Sequence, residues 1–121
     1  MSLTFKKLSE INLKRAKRWH KTDNLNDWSI SDWAVAAAGE MGEICNVVKK
    51  LRRIESQYIG INDKDRQIKD NKHAIEEIGK EIADTVLYLN LLSIRCGLSL
   101  EEEIINKFNQ TSDKYGFEEK L

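Results

Sequence analysis

The sequence predicts an all-α protein built from four helices. Three observations carry this. Its 121 residues contain no proline and only six glycines. No segment alternates apolar and polar residues with period two, and no Asn-Gly hairpin turn or internal repeat is present. Apolar residues instead recur at helical spacing in four segments, most of them bounded by residues that start or stop helices.

Residues 3 to about 20 form the first segment. Leu3, Phe5, Leu8, Ile11, Leu13, Ala16 and Trp19 suggest a rough apolar face, with lysines and arginines opposite. A polar connector, residues 21–27, follows. Ser29 and Ser31 are both candidate N-caps for a second helix, and Asp32 supplies a variant capping box for Ser29. That helix runs to about Arg53, where Lys49, Lys50, Arg52 and Arg53 suit the negative end of a helix dipole. Residues 58–63 read as a break, and 63–72 as a charged, mobile connector. The third helix spans about His73 to Cys96. Ile75, Ile78, Ile82, Val86, Leu89 and Ile94, with Leu87, Leu91 and Leu92, make it apolar nearly all round, which places it centrally or at a subunit interface. Gly97 suits its C-terminal stop. Ser99 and Glu102 form a capping box for a fourth helix that ends near Tyr115-Gly116, with Ile104, Ile105 and Phe108 as its buried stripe.

The length fits one domain, residues 1–121. Twenty basic and twenty acidic residues leave a formal net charge of zero. That balance argues against a sequence-independent binder of nucleic-acid polymers but not against a small phosphorylated ligand, which needs only a few cations in one place. No apolar run is long enough to span a membrane, and the N-terminus lacks the apolar run of a secretory signal. A cytoplasmic protein is expected. Cys45 and Cys96 sit in apolar helical patterns and read as reduced core residues. With no CxxC and no Cys/His cluster, a structural zinc site is not expected.

The chemistry centres on two acidic pairs. Between Asp32 and Lys49 the only charges are Glu40 and Glu43, and between Glu81 and Arg95 the only charge is Asp84. A carboxylate facing a core is costly unless paired, protonated or metal-bound. Glu40 and Glu43 share a helical face, as do Glu81 and Asp84, with Glu77 one turn earlier. If the two helices pack antiparallel, four carboxylates can converge in the bundle interior. Hard oxygen ligands without His or Cys select Mg²⁺ or Mn²⁺. A ferritin-like di-iron site would need Glu-x-x-His, which neither His20 nor His73 completes. Gly39 and Gly42 each cost about 1 kcal/mol within a helix, which suggests close approach of a neighbouring helix or a ligand. The competing reading is a set of ordinary solvent-facing helix pairs.

The residues from about Trp28 to Tyr115 resemble the MazG-type all-α nucleotide pyrophosphohydrolases. Gly39-Glu40-Met41-Gly42-Glu43-Ile44 is similar to the Gly-Glu-x-Gly-Glu-Leu form of the branch containing dCTP pyrophosphatases. Glu81-Ile-Ala-Asp84-Thr-Val-Leu-Tyr88 is similar to the family's second motif, and Lys107 followed by Lys114-Tyr115 resembles its C-terminal Lys…Arg-Tyr pattern. The chain departs in having Gly39 where many relatives carry a second glutamate, and Lys114 in place of arginine. The resemblance implies a MazG-like four-helix bundle completed by dimerisation. It also implies hydrolysis of a nucleoside triphosphate, a dNTP or a modified NTP, between the α and β phosphates. Glu40, Glu43, Glu81 and Asp84 would hold Mg²⁺, and Glu40 or Glu43 would take the proton of the attacking water. Lys107 and Lys114 would neutralise the leaving pyrophosphate.

Base recognition is expected from aromatics. Trp28, Trp33 and Tyr88 are candidates, with Trp19-His20 beside them, although each tryptophan also suits a core anchor. Tyr88 follows Asp84 by one turn on the same face. The third helix, which four short helices cannot hide on all sides, points to a homodimer or homotetramer. The alternative to an enzyme is a non-catalytic helical dimerisation or nucleotide-sensing module.

Overall fold

The computed structural model describes residues 2–56 and 70–121. Among them are four helices and no strand: α1 (Phe5–His20), α2 (Ile30–Glu55), α3 (Asn71–Arg95) and α4 (Leu100–Tyr115). The break expected at 58–63, and most of the connector after it, lie outside the described residues. None of the described helices is long and apolar enough to cross a membrane.

Local chemistry accounts for the helix ends. Thr4 caps α1 by accepting a hydrogen bond from the Lys7 N–H. Of the two candidate serines, Ser29 is the cap of α2 and Ser31 lies within the helix. Its hydroxyl accepts from the Asp32 N–H at 3.0 Å, and the Asp32 carboxylate accepts from the Ser29 N–H at 2.9 Å. The backbone and side-chain hydrogen bonds from Ser29 hold the Asp32 carboxyl below its ordinary range. Asp70, unremarked in the sequence pattern, starts α3 by accepting from the His73 N–H at 2.8 Å. Ser99 caps α4 as expected.

Three helices end in the same closure. Gly97 and Gly116 both have φ of +73°, and Leu98 and Phe117 donate back to Ser93 and Ser112 at 2.9 and 2.8 Å. This is the two-bond stop that glycine favours, since it has no Cβ to clash in the left-handed region. Helix α1 stops in this way without glycine: Lys21 has φ of +53°, and Thr22 donates to the Lys17 carbonyl at 3.0 Å.

Contacts divide the chain into two compact units, Met1–Trp33 with Asn90–Leu121, and Ala34–Leu89. In the first unit α1 packs against α4. Trp33 is fully buried there. Its ring lies 4.6 Å from that of Trp28 and stacks at 5.1 Å on His20, and its Nε1–H donates to the Leu25 carbonyl at 3.2 Å. A polar ladder crosses the same unit. Asn12 donates to Asn90 at 3.1 Å, and Asn90, which has no exposed surface, donates to Ser9 at 2.8 Å.

That ladder changes the expected face of α1. The helix buries Asn12 and Ala16, while Leu3, Ile11 and Trp19 are exposed, because burial follows the partner side chain and not apolarity alone. On α4, Ser112 is buried, and Ile104, Ile105 and Phe108 are only partly covered, 36–43% exposed. The stripe expected to be buried there is therefore not a core within this chain.

The second unit centres on Val47 of α2 and Ala74 of α3, flanked by Leu51, Ile54 and Ile78. Helix α3 buries Ala74, Thr85, Asn90 and Leu91 but not every apolar side chain. Ile75, Ile82, Val86 and Leu89 are exposed. Cys45 and Cys96 are free thiols, and both are exposed, which corrects their assignment to the core.

Candidate metal centre

The site grows from the seam between α2 and α3. Val47 packs with Ala74. Two turns back along α2 is Glu40, and two turns forward along α3 is Glu81, so the helices run antiparallel through this unit. Asp84 is almost one turn further along α3. One carboxylate oxygen from each of Glu40, Glu81 and Asp84 lies within 4.8 Å of the others. The site is built on rigid helix interiors and not on loops.

Glu43 does not join this group. It is exposed, one turn along α2 from Glu40. Three residues along a helix turn the face by about 60°, enough to carry Glu43 off a narrow seam. Its charge is still felt. The Glu40 carboxyl is raised above its ordinary range, first by its partial burial, then by the charges of Asp84, Glu81 and Glu43 in that order.

Among the described residues no lysine, arginine or histidine lies within ion-pairing distance of any of the four acids. Glu77 is different. It pairs with Lys80 and approaches His73 at 3.6 Å, and its carboxyl is lowered chiefly by the hydrogen bond from Lys80. Glu77 is thus ion-paired and, among the described residues, the converging acids are not, although the Lys80 ammonium is raised by the hydrogen bond and charge of Glu77 and then by the charge of Glu81.

Three hard oxygen donors fit an alkaline-earth ion or Mn²⁺ better than zinc or copper. Around an octahedral Mg²⁺ ion adjacent oxygens stand about 3.0 Å apart and opposite ones about 4.2 Å, so the three would have to draw closer to bind one ion together. The two glycines do not mark close approach by a neighbouring element. A Cβ built on Gly39 or Gly42 meets nothing within 4 Å. Both positions are open among the described residues.

The remaining candidates are distributed as follows. Tyr88 is half-buried on α3, one turn from Asp84 in the same unit. Trp33 has no surface with which to meet a ligand, and its role here is structural. Trp28 is half-buried and Trp19 is 73% exposed. Lys107 and Lys114 are exposed on α4. The Lys107 ammonium donates to Gln110 at 3.4 Å, and that of Lys114 lies 5.3 Å from the Tyr115 ring centre. Lys107 also lines an open, mainly apolar groove of about 760 Å³ with Ile104, Phe108 and Phe117.

Comparison with models of protein families, with curated proteins and with solved structures returns no match. The functional reading therefore rests on the residues themselves and on the motif resemblance.

Proposed function

We propose that the chain is a Mg²⁺-dependent nucleoside triphosphate pyrophosphohydrolase of MazG-like architecture. It would act on a dNTP or a modified NTP and release a nucleoside monophosphate and pyrophosphate. The observation that carries this reading is the convergence of Glu40, Glu81 and Asp84 from two facing helices, none of them in an ion pair among the described residues. Like charges are held together only at a cost, and a divalent ion offsets it.

When bound, Mg²⁺ would polarise phosphoryl oxygens and acidify a water. The chain's own groups supply the rest. Glu43, outside the three-carboxylate group yet on the same helix, is free to accept the proton of the attacking water. Tyr88 offers an aromatic ring one turn from Asp84. On the resemblance alone, Lys107 and Lys114 serve the phosphates.

The test is pyrophosphate release from a panel of canonical and modified NTPs and dNTPs, with Mg²⁺ and with chelator. Mg²⁺-dependent release that collapses in Glu43→Gln is the expected result. Silence across the panel, without Mg²⁺-dependent nucleotide binding, would leave the dimerisation or sensing module in its place.

The same unit supports self-association. On α2, Ala34, Ala38, Met41, Cys45 and Val48 are exposed and alternate four- and three-residue spacings. Ile75, Gly79, Ile82, Val86 and Leu89 do so on α3. That is the seam spacing of paired helices. Both stripes lie the same way round from the α2–α3 contact, and in an antiparallel pair this places them on one side. A second copy meeting this side would complete a four-helix bundle and make at least a homodimer. Sedimentation should show a dimer at micromolar concentration that Ile82→Glu dissociates. A wild-type monomer there would contradict it.

A further inference from the structure

We propose that the cleft at the C-terminal end of α1 binds an oligophosphate, the di- or triphosphate moiety of a small molecule, through Lys14, Lys17, Arg18 and Lys21. The inference stands apart from the carboxylate site. Every residue it uses lies in the first compact unit, and it needs no metal.

The charge of the chain is balanced overall but segregated locally. Residues 14–21 hold Lys14, Arg15, Lys17, Arg18 and Lys21 and no acid, although basic and acidic residues are equal in number over the whole chain. The fold does not disperse this run. The left-handed stop of α1 turns the chain back on itself, and Lys14, Lys17, Arg18 and Lys21 line a cleft of about 470 Å³ with Thr22 and Asp23. That volume suits a small ligand.

Among the described residues none of these four cations is within ion-pairing distance of a carboxylate, Asp23 included. Elsewhere the chain does pair its lysines, Lys80 with Glu77 and Lys120 with Asp113. The Thr22 hydroxyl accepts from the Asn24 N–H at 3.4 Å, which leaves its own proton to donate into the cleft.

A simpler account of basic residues at a helix C-terminus is the dipole, which fades beyond the last turn. It accounts for Lys17 and Arg18, the basic residues of the last turn together with His20. Lys14 lies a turn further back. Lys21 is harder to explain by the dipole. It holds φ of +53°, where the other two such stops use glycine. A Cβ in the left-handed region costs roughly 1–2 kcal/mol. Strain retained where glycine would relieve it points to a use for the side chain. Four compact charges around one concavity match a ligand with three or four negative charges at close spacing.

The test uses the full chain freed of divalent ions on chelating resin, at low salt. Amide chemical shifts are followed during titration with inorganic triphosphate, with ATP and with a single-stranded oligonucleotide. Triphosphate and ATP should both give saturable shifts centred on residues 14–23. Lys14→Gln/Arg18→Gln should weaken both by about tenfold or more, as expected for lost phosphate contacts. Lys21→Gly should also weaken binding while raising the thermal midpoint, two effects of opposite sign that a purely structural lysine would not produce. In Asp84→Asn the titration should be unchanged, so this site and the proposed metal centre fail separately. Four outcomes overturn the proposal: no saturable shift, shifts unaltered in the double variant, binding of ATP without triphosphate, or binding of the oligonucleotide without triphosphate.

Discussion

The two compact units treat buried polarity in opposite ways. In the first, Asn90 is fully enclosed, and its amide both accepts from Asn12 and donates to Ser9. Trp33 is equally enclosed, and its N–H reaches a carbonyl. Every buried side-chain polar atom described in the chain has a partner. In the second unit the polar groups at the seam are carboxylates that repel one another, and Glu40 is held with its carboxyl raised. Satisfied neutral groups specify a packing. Clustered like charges repel one another, and these form no ion pair among the described residues.

Substitutions at the two sites should break apart along this line. The largest effect is expected at the seam. Asp84→Asn should lower Mg²⁺-dependent hydrolysis by on the order of 10²-fold or more, with a small rise in the metal-free unfolding midpoint as Glu40 loses its foremost repelling charge. Steady-state pyrophosphate release and a thermal melt together check both halves. Asn90→Ala is the counterpart. It removes the acceptor of the Asn12 amide and the donor to Ser9, should cost about 2 kcal/mol in urea unfolding, and should leave the seam's metal response intact.

Glu40→Gln sharpens the contrast because it should stabilise. The folded chain holds the Glu40 proton more tightly than the unfolded chain does, so the stability tied to that proton is present at low pH. It is lost as pH rises through the raised folded value. Metal-free wild type should therefore gain stability on acidification through that window, and the glutamine variant should lack the component due to Glu40. At neutral pH the variant should be the more stable without metal, by under about 1 kcal/mol given solvent screening, and should gain less from Mg²⁺. A loss of metal-free stability would refute the repulsion described at the seam. A further effect lies outside both sites. Ser29→Ala removes the cap of α2 and should cost about 1 kcal/mol by the same unfolding measurement.

Much of the fold was legible in the sequence where the determinant is local. The stops at Gly97 and Gly116, the cap at Ser99 and the isolation of the acids in apolar helices all follow from a few neighbouring residues. Which side chains are buried was less legible. Ile11, Trp19, Ile75 and Ile82 are apolar and exposed, while Asn12, Asn90 and Ser112 are polar and buried. Periodicity reports a face, and burial depends on what meets it. The cationic cleft illustrates the same gap. Its lysines were visible as a run, but a net charge of zero concealed their concentration, and only the turn at Lys21 makes the run concave.

By itself, then, the sequence determined four helices, most of their caps and stops, and the presence of four acids in two apolar stretches, because each of these depends on interactions within about one helical turn. The tertiary structure decided which of those acids meet. The antiparallel register of α2 and α3 brings Glu40 to Glu81 and Asp84, and the 60° step to Glu43 leaves that residue outside. Convergence of charge is set by which faces two helices turn toward each other, and that choice is made by packing at Val47 and Ala74, outside the acidic motifs themselves.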